Sequence, residues 1–124
     1  MKTDRPVYLS LTQFKWPLAA IASITHRITG VLLFAAMAYL VWLLGTALES
    51  PAGFERAAGI LAAPLPKLIM LVVLAALAYH LFAGIKHLVM DFHHWDSLRA
   101  GQVSSATVFV LTGLATVLAG AWLW

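Results

Sequence analysis

The chain has 124 residues, 62% of them hydrophobic and only 10% charged, with a mean hydropathy of +0.89; soluble domains carry about 25% charged residues, so this is an integral membrane protein by composition. Its formal charge of +3 is small, and the basic residues gather near the ends of apolar stretches, a pattern that suits membrane orientation and argues against a nucleic-acid partner. Without cysteine it can form neither disulfides nor cysteine-ligated zinc or iron–sulfur centres of its own.

The opening stretch "MKTDRPVYLSLTQFKWP" has no apolar core directly after its basic residues and no small-residue cleavage site, so it does not read as a signal peptide. Asp4 and the scarcity of arginine also argue against a mitochondrial transit peptide, which leaves an uncleaved bacterial protein as the simplest expectation. Three apolar stretches follow, at roughly 17–48, 66–90 and 105–124. Each supplies the ~20 helical residues that cross a ~30 Å hydrocarbon core. None alternates, so strands are not expected, and the fold class is all-α integral membrane with three transmembrane helices.

The first span is expected to carry Pro17 in its first turn, where a missing N–H costs nothing. Its mouth is unusual: "SITHRITG" brings Ser23, His26 and Arg27 into a segment that then has no charge before Glu49. Ser23 and Arg27 are one helical turn apart and share a face, with His26 about 100° round. Two readings stand. Arg27 snorkels to lipid phosphates while Ser23 bonds to its own helix, or the two form a site near the interface that offers an anionic or polar group a hydrogen bond and a charge.

Pro64 and Pro66 are expected to precede the second span, which contains "AYHLFAGIKHLVMDF". His80 is the deepest ionisable residue, about 16 Å along the axis from Asp91. His80, Gly84 and His87 line one face, and the gap at Gly84 would suit a flat, bulky ligand. Haem is the obvious candidate, because histidine is a common axial ligand to its iron. His80 and His87 lie about 10 Å apart on one helix and cannot take opposite sides of one iron, so His80 is the expected ligand and His87 is free to reach a propionate. His26 and Arg27 would also meet propionates if the first helix packs beside the second. A second axial histidine must come from a partner chain. The competing reading is a neutral core histidine bonded to a backbone carbonyl. His93 and His94, adjacent residues in a loop with Trp95 and Asp96, are expected to be solvated and not a metal pair.

Gly101 is expected to mark the turn into the third span, which has no ionisable residue and is expected to supply packing and lipid contact. Gly30, Gly113 and Gly120 are expected at close-packing positions. Trp16, Trp42, Trp95, Trp122 and Trp124 lie near expected ends, as interfacial anchors do. Lys2, Arg5, Lys15 and Arg27 near the start, with Lys86 and Arg99 around the second connection, outweigh Arg56 and Lys67 in the first. The N-terminus is therefore expected in the cytoplasm and Trp124 outside.

The order "RPVYLSL", "SITHRITGVLLF", "WLLGTALESPAGFERA" and "AYHLFAGIKHLVMDF" resembles, across essentially the whole chain from Arg5 to Trp124, the cytochrome b membrane-anchor subunit of succinate dehydrogenase, or complex II. The pairing of S-x-x-H-R-x-[ST]-G with a later H-x-x-x-G-[IV]-[KR]-H-x-x-x-D carries the likeness. It implies a single membrane-anchor domain forming half of a heterodimeric bundle with a second membrane-anchor subunit. That pair docks an iron–sulfur subunit and a flavoprotein subunit, which alone hold iron–sulfur clusters and FAD. It further implies Ser23 and Arg27 in the ubiquinone site and His80 as axial ligand to haem b, with His26, Arg27 and His87 near the propionates. The implied location is the bacterial inner membrane. A fumarate reductase or other quinol oxidoreductase cytochrome, and a cofactor-free structural membrane subunit, remain the alternatives.

Overall fold

Proline and serine set most of the helix starts, and a long run without charge determines how far each helix continues. The computed structural model describes residues 10, 12–13, 15–94 and 97–124. The motif "RPVYLSL", the charges Lys2, Asp4 and Arg5, and Trp95 and Asp96 lie wholly or mostly outside the described residues. Helix α1 runs Leu18–Glu49, with Pro17 as its N-cap at φ −62° and ψ 145°; Pro17 thus stands just before the first turn and not within it. At 1.5 Å per residue α1 is about 48 Å long, well over one hydrocarbon thickness.

The connection read as a loop contains a helix. Helix α2, Pro51–Ala62, begins at Ser50, whose hydroxyl accepts a hydrogen bond from the Gly53 N–H at 3.0 Å, with Pro51 in the first turn. A Cβ on Gly53 would collide with the Thr46 carbonyl, so glycine permits the tight fold-back of α2 onto α1. Helix α3 runs Pro64–Asp91. It starts two residues before the expected Pro66, because Pro66 still falls among the first four residues, whose N–H groups have no intrahelical partner. It ends where His93 adopts φ 59°, a left-handed conformation that histidine tolerates better than most residues.

Helix α4, Leu98–Leu123, also starts earlier than expected. Ser97 caps it by accepting from the Ala100 N–H at 3.1 Å, so Gly101 is a buried helical residue and not a turn. The early start also brings Arg99 into the helix.

The three long helices form an up-down-up bundle with α3 central, packed against both α1 and α4. Tyr79, Ala83 and Val108 form the buried centre of the α3–α4 contact, joined by Phe82 and Phe109. The Tyr79 and Phe109 rings sit 5.3 Å apart in a tilted pair. At the far end the Lys67 ammonium lies 5.4 Å from the Trp124 ring centre, tying the start of α3 to the end of α4. Ala22, Ala57, Ala76 and Ala83 are buried while Val31, Phe34, Leu118 and Trp122 are exposed. Alanines thus make up half of the buried apolar set, beside Leu43, Val73, Tyr79 and Val108, as expected where lipid tails offer large apolar side chains little reason to hide. Gly30 and Gly120 do face neighbouring side chains, but a Cβ on Gly113 would meet no atom within 4 Å, so Gly113 is not a packing position within this chain. No strand occurs among the described residues, and α1, α3 and α4 are each long and apolar enough to cross a membrane.

Candidate functional site

The first half of α1 and the second half of α3 run side by side, and each contributes a glycine opposite the other's histidine. A Cβ on Gly30 would lie 3.1 Å from His80 Cε1, and one on Gly84 would lie 3.5 Å from His26 Nε2. The space at Gly84 is therefore taken by the His26 ring. The gap expected there for a flat ligand is thus also where the two helices approach each other.

The two histidines meet as a result. Their rings stack with centres 4.1 Å apart and planes 17° from parallel, and His87 completes the cluster 5.2 Å from His26. His80 Nδ1 lies 3.1 Å from the His26 carbonyl oxygen and 3.2 Å from Thr29 Oγ1. The Thr29 hydroxyl in turn donates to that same carbonyl at 2.9 Å. A carbonyl only accepts, so the network assigns the proton to His80 Nδ1 and leaves Nε2 with a free lone pair. A histidine held at Nδ1 by a backbone carbonyl, with Nε2 open, is the arrangement found in metal-ligating histidines.

One turn away, the buried Tyr79 hydroxyl donates to the Ala22 carbonyl at 2.9 Å. This bond fixes the register of α1 against α3 at the residue before Ser23. Thr29 and Tyr79 were missed as contributors in the sequence. Thr29 had a signal, as the [ST] position of the first motif; Tyr79, an aromatic in an apolar run, had none.

Ser23 and Arg27 lie on the same helix but outside the histidine cluster. Ser23 is half-buried and has no hydrogen-bond partner among the described residues, whereas Thr25 bonds back to the Ile21 carbonyl at 2.9 Å. Ser23 thus does not bond back to its own helix in this structure, which leaves its hydroxyl able to donate. Arg27 is exposed, makes no ion pair among the described residues, and borders a shallow apolar groove with Ile28, Val31, Leu32 and Ala35.

The donor set fits haem and not a protein-caged ion. Among the described residues no three histidine, cysteine or carboxylate side chains are grouped to hold a metal. A single anchored imidazole is what a porphyrin-bound iron requires from one side, and His26 and His87 stand close by as donors suited to carboxylates. His94 Nδ1 lies 2.8 Å from the Phe92 carbonyl in the exposed turn after α3, away from this cluster.

Comparison with known proteins identifies the family. Residues 1–119 match the family model described as succinate dehydrogenase/fumarate reductase transmembrane subunit. The chain is 44% identical over 125 residues to the succinate dehydrogenase cytochrome b556 subunit of Coxiella burnetii, covering all of both chains. It is 34% identical to the b556 subunit of Paracoccus denitrificans, over 93% of this chain and 88% of that one. It is also 30% identical to the b560 subunit of Reclinomonas americana, over 93% and 81% respectively.

Proposed function

The chain belongs to the succinate dehydrogenase/fumarate reductase transmembrane subunit family, and on that premise we propose that it holds haem b and helps to form the site where ubiquinone is reduced. It is a non-catalytic, multi-pass membrane subunit of the complex, in the bacterial inner membrane. The observation that carries the haem reading is the bond network at His80 Nδ1, which leaves Nε2 free to bind iron. His26 and His87 would hold the propionates, with Arg27 contributing charge. The second membrane-anchor subunit would supply the other axial ligand. Bound haem supplies one-electron redox chemistry inside the membrane.

In this reading the flavoprotein and iron–sulfur subunits would supply electrons from succinate, and Ser23 and Arg27 would hold the quinone that receives them. A quinone carbonyl oxygen gains negative charge as it is reduced. The Ser23 hydroxyl, which has no internal acceptor, would donate to that oxygen, and the Arg27 guanidinium would oppose the developing charge. Both interactions strengthen as reduction proceeds, so they favour the transition state over bound substrate. With the N-terminus in the cytoplasm, this end of the bundle faces the soluble subunits and the water that supplies two protons.

The test is a reduced-minus-oxidised optical spectrum of the intact complex, purified in mild detergent with succinate as reductant. A b-type signal in the wild type, lost in His80→Ala, is the expected result. An intact complex without haem, or one in which His80→Ala leaves the spectrum unchanged, overturns the assignment.

A further inference from the structure

Lys86 was expected near the connection after α3, yet it is one of the most buried residues of the chain, at 3% exposure. It lines a cleft of about 440 Å³ between α3 and α4. Its other lining residues include Phe82, Ile85, Val103, Thr107 and Leu111, with Ser104, whose hydroxyl donates to the Gly101 carbonyl at 3.2 Å, and its volume is within the usual range for small-molecule sites. The Thr107 hydroxyl is already committed to the Val103 carbonyl at 3.0 Å. Lys86 makes no ion pair among the described residues. Of the described acids, Glu49 and Glu55 lie in the α1–α2 region at the opposite end of the bundle, and Asp91 is exposed on a different face of α3. An ammonium group taken out of water among apolar side chains, with no anion of its own, is strongly disfavoured.

We propose that this cleft binds an acidic phospholipid, its phosphate on Lys86 and an acyl chain along the groove between α3 and α4. Three features select a lipid. The lining is apolar and extends along α4 from Ala100 to Leu111, about 16 Å of helix. The cleft is flanked by the exposed Ile85, Val103 and Leu111, so it opens sideways where acyl chains lie. Lys86 is five residues before the end of α3 at Asp91, about 8 Å along the axis, within reach of headgroup depth for a snorkelling lysine. A charge at one end of an apolar groove complements an amphiphile with one anionic end. This inference does not depend on the haem or quinone reading.

The test uses the intact complex purified in mild detergent from wild-type, Lys86→Gln and Lys86→Arg strains, with bound lipid counted by native mass spectrometry. Wild type and Lys86→Arg are expected to retain an acidic phospholipid that Lys86→Gln retains roughly fivefold less, the weight of one lysine facing an anionic lipid, with zwitterionic lipid unchanged. Equal acidic lipid in Lys86→Gln overturns the proposal. So does loss of haem or of the partner anchor with lipid unchanged, which would make Lys86 a propionate or protein contact. If the substitutions block assembly, the wild-type complex is reconstituted with phosphatidylglycerol or phosphatidylcholine bearing the same photoreactive chain. Adducts on segment 100–111 in excess with phosphatidylglycerol support the site, and equal labelling by the two overturns it.

Discussion

The substitution Gly30→Ala adds one methyl group opposite the proposed haem ligand. Its carbon would stand 3.1 Å from His80 Cε1, whereas relaxed carbon contacts sit at about 3.5–4.0 Å. The ring must retreat by roughly 0.4–0.9 Å, the difference between those contacts and the present spacing. His80 Nδ1 is now 3.1 Å from the His26 carbonyl, so a retreat of that size along the bond takes it out of hydrogen-bond range. The lost bond is worth about 1 kcal/mol and the crowding about 1–3 kcal/mol, against about 1 kcal/mol that alanine gains over glycine in a helix. The net, about 1–3 kcal/mol, corresponds to a roughly 5- to 150-fold loss of the anchored ring orientation. Gly84→Ala is the control: its methyl would meet His26 Nε2 at 3.5 Å, an ordinary contact, and it keeps the gain in helix propensity. Haem per complex, measured as the pyridine haemochrome, and the low-temperature EPR spectrum are expected to change in Gly30→Ala and not in Gly84→Ala. Equal haem and unchanged EPR in Gly30→Ala, or equal losses in both variants, would refute the reasoning.

Arg27→Leu is expected to lower succinate:quinone reductase activity roughly tenfold or more, the weight of a charged hydrogen bond, while dye-coupled succinate oxidation persists; full quinone activity would remove Arg27 from the site. Thr29→Val frees the His26 carbonyl to accept from His80 Nδ1 alone, which makes the ring a stronger electron donor to a bound iron. A redox titration should then place the haem midpoint lower by roughly 40 mV, about 1 kcal/mol for a one-electron couple, and an unmoved midpoint would count against the network. Tyr79→Phe removes the bond to the Ala22 carbonyl and is expected to lower the thermal midpoint of the solubilised complex by about 2–4 °C, read by scanning fluorimetry against wild type.

Hydropathy alone was enough to place α1 and α3, because in lipid a long apolar run has few other solutions. The same signal concealed α2, whose Ser50–Pro51 start reads equally well as a turn, and it delayed α4, since Gly101 looks like a breaker until Ser97 is seen to cap the helix. In the site, the chemical types were visible: a deep His80, and Ser23 and Arg27 on one face. The partners of His80 were not. Which side of α1 meets α3 depends on rotation about the helix axis, and a membrane helix that is apolar all round leaves no stripe to announce it. Thr29 and Tyr79 acquire their roles only once that rotation is fixed. Lys86, read only as a charge flanking the second connection, turns out to be buried against α4.

The Tyr79–Ala22 bond and the His80–His26 contact are both made between atoms of one polypeptide. The ordering of these side chains therefore requires only that α1 and α3 come together. For biogenesis this means that a newly inserted chain would present its half of the proposed haem pocket already shaped. The encounter with the second anchor then has less disorder to overcome, as preorganised partners do. A lesion such as Gly30→Ala would consequently register early, as slow maturation of the membrane pair, and not only as altered electron transfer in the finished complex.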